Sequence, residues 1–117
     1  METEIEEILK QIRTFLDKYG EKGWANQFVW LEEDWVAAQS PNSTNGRKLV
    51  ALQRIREIIG GMGSFNDVRI DHCAGHLVKP EEVQNVNVEL RRLRTKLYLL
   101  VENEIIRLTS NDNAAKN

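Results

Sequence analysis

Apolar residues recur at intervals of three and four along most of this chain, the period of an α-helix packed on one side. Ile5, Ile8, Leu9, Ile12, Phe15, Leu16 and Tyr19 keep that spacing and predict a helix from about Thr3 to Tyr19. Glu2, Glu4, Glu6 and Glu7 crowd its start, where negative charge suits the helix dipole. Gly20 follows at the position where a left-handed glycine closes a helix. A second helix is predicted from about Gly23 to Ala38, with Trp24, Phe28, Leu31, Trp35 and Ala38 as its stripe. Val29 and Val36 lie on another side of it, and Trp30 on a third, about 120° from the stripe's centre. A helix that is apolar on several sides is either central or presents a surface to a partner.

Gln39 to Gly46 is a polar loop rich in Ser, Asn, Pro and Gly. A third helix is predicted from about Arg47 to Ile59, striped by Leu52, Ile55 and Ile59 and stopped by Gly60 and Gly61. Between Met62 and Pro80 the helical period vanishes. Val68 and Ile70 alternate with charged residues there, and His76, Leu77 and Val78 are their hairpin partner across Cys73, Ala74 and Gly75. The fourth helix begins at Pro80 or Glu81 and runs to Leu108, striped by Val83, Val86, Leu90, Leu93, Leu97, Val101, Ile105 and Leu108. The predicted fold is mainly α: three antiparallel helices, a glycine-rich irregular segment with a short β-hairpin, and a long C-terminal helix. Residues 1–109 form a single domain and residues 110–117, without a large apolar residue, form a disordered tail.

The chain has 117 residues, enough for one domain with one core. Sixteen basic and eighteen acidic residues give a net charge of −2, the wrong balance for a protein held to nucleic acid by bulk attraction. No apolar run reaches the roughly 18 residues of a membrane span. The acidic, amphipathic start is not the chemistry of an export signal. Cys73 has no partner for a disulfide, so a cytoplasmic location is expected. No cofactor motif is present.

The most unusual stretch is Gly60, Gly61, Met62, Gly63, Ser64, Phe65, Asn66 and Asp67. Three glycines in four positions ask for a positive φ or for close approach of another group. Ser64 and Asp67 have capping-box spacing, which would turn Phe65 inward as an anchor. The stretch lacks the Lys-Ser/Thr ending of a phosphate-binding P-loop, yet its N–H groups could hold a carboxylate or phosphate. The segment from Asp71 to His76 collects the only Cys and both His residues. His72, Cys73 and His76 are a candidate zinc set, weakened by the lack of a second ligand pair elsewhere. A Cys73 nucleophile with a His base is disfavoured, since neighbouring side chains in one short loop should diverge. Arg91, Arg92, Arg94 and Lys96 read as a solvated helix face. Glu32, Glu33 and Asp34 form an acidic turn that would steer a basic partner, with Trp30 beside it as an anchor. Glu104 falls inside the apolar stripe of the last helix and Arg94 at its edge, which suggests an antiparallel homodimer bridging the two.

The Gly60–Asp67 octet resembles the signature of a family of small bacterial proteins of unknown function. Lys18-Tyr19-Gly20, Gly23-Trp24-Ala25 and the stretch Leu93-Arg94-Thr95-Lys96-Leu97-Tyr98-Leu99-Leu100 are similar to other parts of that family's pattern. Its members resemble immunity-type proteins that accompany secreted bacterial toxins. The segment Asp71–Lys79 departs from the pattern. The resemblance implies a non-catalytic interaction protein that binds a cognate toxin. The alternative is a small-ligand or metal-binding domain that uses the Gly60–Asp67 loop and the Asp71–His76 segment.

Overall fold

Four α-helices form along the chain: α1 (Glu4–Lys18), α2 (Lys22–Ala38), α3 (Asn45–Ile59) and α4 (Val83–Lys116). The computed structural model describes the backbone of residues 3–60 and 65–116 and the side chains of residues 3–60 and 65–110. Thr3 starts α1 by accepting a hydrogen bond from the Glu6 N–H at 3.1 Å. Its hydroxyl also accepts the Trp35 indole N–H at 2.8 Å, so one oxygen caps α1 and ties α2 to it. At the other end Gly20 takes φ +77°. The N–H groups of Gly20 and Glu21 return to the carbonyls of Asp17 and Leu16, a Schellman turn. Thr44 starts α3 in the manner of Thr3, accepting the Arg47 N–H at 3.1 Å. That cap places the start of α3 two residues before the predicted Arg47.

The stripes meet in one core. Leu9, Ile12 and Leu16 of α1, Phe28 and Leu31 of α2, Leu52 and Ile55 of α3, and Leu90, Leu97 and Val101 of α4 are all buried. α1 packs on α2 and α4, and α3 packs on the same two helices. Phe65 drops into the core with its ring 4.6 Å from Phe28 and 5.5 Å from Trp24.

The predicted hairpin does not form: no strand is present among the described residues. The segment is instead built on three single-turn 3₁₀ helices, Phe65–Asp67, His72–Ala74 and Pro80–Glu82. A side chain occupies the ladder partner's place. Asn87 accepts the Ile70 N–H at 2.9 Å and donates to the Ile70 carbonyl at 2.7 Å. On the other presumed strand, the Leu77 N–H goes to the Tyr19 carbonyl.

Pro80 opens the last of these turns, and α4 itself begins at Val83. α4 then continues through Ser110 to Lys116, where the composition predicts a disordered tail. Its 34 residues correspond to about 50 Å and set the long dimension of a body measuring 57 × 24 × 21 Å.

Candidate functional site

Glu32, Glu33 and Asp34 do not form a common acidic patch. With Leu31 and Trp35 inward, consecutive residues step about 100° around the helix, so Glu33 points out and its neighbours fall on opposite flanks. Glu32 accepts from Arg13 Nε of α1 at 2.9 Å. Asp34 accepts from Arg47 and Arg54 of α3 at 2.7 and 3.1 Å. Two of the three carboxylates therefore lock α2 to its neighbours, and Glu33 alone faces solvent. The outer side of α2 also exposes Asn26 and, among these polar groups, three large apolar side chains. Val29, Trp30 and Val36 are 37%, 47% and 47% exposed. The Arg54 guanidinium lies 5.7 Å from the centre of the Trp30 ring, a cation–π contact between α3 and the half-exposed indole. Beside it, Arg13, Val29, Glu32, Glu33, Val36 and Ala37 line an open concavity of about 500 Å³.

Of the glycine-rich stretch, Gly61, Met62, Gly63 and Ser64 lie outside the described residues. Gly60 has φ −114°, an ordinary value, and caps α3 by donating to the Arg56 carbonyl. The positive φ predicted somewhere in this loop is thus not at Gly60. Phe65 is the inward anchor described above. Asn66 and Asp67 complete its 3₁₀ turn.

The basic run on α4 is not uniformly solvated. Arg94 turns inward and donates to the carbonyls of Phe65 and Val68 at 3.2 and 3.0 Å. Its guanidinium lies 5.8 Å from the Phe65 ring centre. Burial, with Arg91 alongside, pushes the Arg94 pKa down, and Asp67 opposes the shift. Arg94 and Asn87 together clasp residues 65–70 onto α4. Sequence reasoning missed both: an Arg in a charged run and an Asn in a helix carry no visible sign of backbone partners. Near this clasp, Arg56, Ile59, Gly60, Asn66, Arg91 and Tyr98 help line a hollow of about 470 Å³.

Within the single chain, the two residues of the expected Glu104–Arg94 bridge have other partners. Glu104 pairs with Arg107 one turn along α4, and Arg94 is engaged by the two carbonyls.

At the Asp71–His76 turn the structure sorts the candidate ligands. His76 Nδ1 accepts the Asp71 N–H at 2.9 Å, so its proton sits on Nε2, which donates to Glu21 at 2.9 Å. Both ring nitrogens are used, and His76 anchors the turn to the α1–α2 junction. His72 and Cys73 are exposed beside it. His72 Nε2 lies 3.4 Å from Cys73 Sγ, and His72 Nδ1 lies 3.4 Å from Asp71 Oδ1. The expected divergence of neighbouring side chains fails because Asp71 caps the 3₁₀ turn. Its Oδ1 accepts the Cys73 N–H at 2.9 Å and draws the carboxylate back over the next two residues. That bond holds the Asp71 carboxyl below the usual carboxylate range, with smaller help from His72 and Arg69. Gly75, at φ +87°, closes the turn.

The molecule is thus an all-helical domain among its described residues, with three exposed apolar side chains on the outer side of α2 and a compact His/Cys turn. No helix among those residues is long and apolar enough to cross a membrane. The chain belongs to the family described as a domain of unknown function (DUF6966), which matches residues 17–79. The matched stretch runs from the Schellman turn through α2, α3 and the glycine-rich segment to the His/Cys turn, and stops before α4. No curated protein and no solved structure matches the chain.

Proposed function

We propose that this protein is a non-catalytic binding domain whose partner protein docks on the outer face of α2, in the manner of immunity-type proteins that neutralise a bacterial toxin in the cytoplasm. The carrying observation is the surface of Val29, Trp30 and Val36 around the single outward carboxylate of Glu33. A half-exposed Trp held by an Arg is an anchor ordered before binding, which lowers the entropic cost of association. With Glu32 and Asp34 neutralised, the face fits an apolar partner surface carrying one basic group opposite Glu33 better than a broadly basic one. The proposal takes the first three helices as antiparallel, supported by their short connections and by the packing of α2 on both α1 and α3.

The test is parallel capture from the source cell by the wild-type chain and by Trp30→Ala and Glu33→Arg variants. A protein retained by the wild type and released by both variants supports the reading. Trp30→Ala should weaken such a complex by about 2 kcal/mol or more. A partner held equally by all three chains overturns the assignment of this face.

A further inference from the structure

We propose that Asp71, His72 and Cys73 form a binding site for a borderline divalent transition-metal ion, of which zinc is the representative. The three offer one ligand atom each, and these atoms lie within 4.8 Å of one another. Thiolate, imidazole and carboxylate are the donors that together suit zinc. In a tetrahedral zinc site, a sulfur and a nitrogen ligand stand about 3.5 Å apart, given the usual bond lengths. The Cys73 Sγ to His72 Nε2 separation is 3.4 Å, so this edge of the tetrahedron already exists without an ion. A fourth position stays open to water, since His72 and Cys73 face solvent.

The turn is held by the Asp71 cap, by backbone hydrogen bonds and by His76. Asp71 Oδ1 accepts the Cys73 N–H, which fixes the first and third residues relative to each other. The Asp71 carbonyl accepts the N–H groups of Ala74 and His76. His76, pinned between Asp71 N–H and Glu21, ties the turn to the start of α2. His76 thereby leaves the ligand set that its spacing suggests, and Asp71 enters it. On binding, the Cys73 thiol proton leaves to solvent as sulfur forms the metal bond, and the Asp71 oxygen coordinates as the carboxylate.

The experiment uses the full chain, stripped with chelator and kept reduced by a phosphine, titrated with Co²⁺. A sulfur-to-cobalt charge-transfer absorption saturating at one equivalent, and displaced by Zn²⁺, is the expected result. Cys73→Ser should abolish it. His72→Ala and Asp71→Asn should each weaken Zn²⁺ binding at least about tenfold. Asn at position 71 keeps the oxygen that accepts the Cys73 N–H and removes the charge, so loss of affinity there reports the carboxylate rather than the turn. His76→Gln, with the helical circular dichroism unchanged, should retain the band. Four results overturn the site: no band at one equivalent, a plateau at half an equivalent through thiols of two chains, binding indifferent to both His72→Ala and Asp71→Asn, or binding lost in His76→Gln and kept in His72→Ala.

Discussion

Asn87 and Ile70 form a reciprocal hydrogen-bonded pair: the side-chain oxygen of Asn87 accepts the Ile70 N–H, and its amide donates to the Ile70 carbonyl. The same amide also donates to the Val83 carbonyl, four residues back along α4. One side chain therefore satisfies both backbone groups of a fully buried residue in a segment that has no strand to pair with. Asn87→Ala would orphan these groups, at about 1–3 kcal/mol for each that stays buried. Asn87→Asp should be no milder, because it keeps the acceptor and sets a carboxylate against two carbonyls. Urea unfolding measures both. A shift below about 0.5 kcal/mol in the Ala variant would show that water replaces the amide and that the clasp is dispensable.

Among the described glycines, Gly20 combines a positive φ with a close neighbour. Its φ of +77° is strained for any residue with a Cβ, and a Cβ built there would stand 3.1 Å from Leu77 Cγ. Gly20→Ala should cost about 1 kcal/mol or more and loosen the contact between the α1–α2 turn and the segment around His76. Gly60→Ala meets only the Arg56 carbonyl, at 3.3 Å, from an ordinary φ, and should cost less. Thermal unfolding of the two variants side by side checks the order, and equal losses would contradict it.

The helices were legible because one-sided burial leaves a period in the sequence. Leu9, Leu31, Leu52 and Leu97 all sit in the core where their stripes put them. Gly20 was legible because a left-handed helix end has few alternatives. The segment from Val68 to Val78 was not. Its alternation of apolar and charged residues is genuine, yet an alternating pattern cannot reveal that Asn87, 17 residues away, supplies the missing ladder partner. The acidic turn misled for a related reason. Glu32 and Asp34 are ordinary in sequence, and only the placement of Arg13, Arg47 and Arg54 on the flanking helices turns them into clamps. The cluster at Asp71 was visible as composition, but which members converge depends on the cap and on Glu21.

Two tryptophans on α2 should behave oppositely. Trp35 is buried and donates its indole N–H to Thr3. Trp35→Ala should cost about 3–5 kcal/mol through the cavity it leaves. Thr3→Ala should cost about 1–2 kcal/mol, since it removes the cap of α1 and the indole's acceptor together, and Thr3→Ser should recover most of that loss. Trp30→Ala should change stability by no more than about 1 kcal/mol, since a half-exposed ring leaves no closed cavity behind. Chemical unfolding of the four variants tests the contrast. A large loss at Trp30 would make its role structural and remove the support it gives to a docking face.

The Arg56–Glu102 pair joins α3 to α4 through two hydrogen bonds, of 2.6 and 2.7 Å. The hydrogen bonds from Arg56, and then its charge, hold the Glu102 carboxyl below the ordinary glutamate value of 4.5. A carboxyl with a depressed folded pKa favours folding above its unfolded pKa. That contribution is lost as pH falls from about 4.5 through the folded value, because the unfolded chain takes up its proton first. Both side chains are partly exposed, so the contribution is small and screened by salt. Glu102→Gln should therefore lower the melting temperature at pH 7. The gap to the wild type should narrow below about pH 4.5 and close in stronger acid, and it should shrink in 1 M salt at neutral pH. Glu89, also depressed by a bidentate Arg92, provides the control: that pair lies within one turn of α4 and joins no second element. Glu89→Gln should thus move the melting temperature less than Glu102→Gln. If the Glu102→Gln gap held constant from pH 7 to pH 3, the loss would come from packing rather than charge, and the ion pair would not be what fastens α3 to α4.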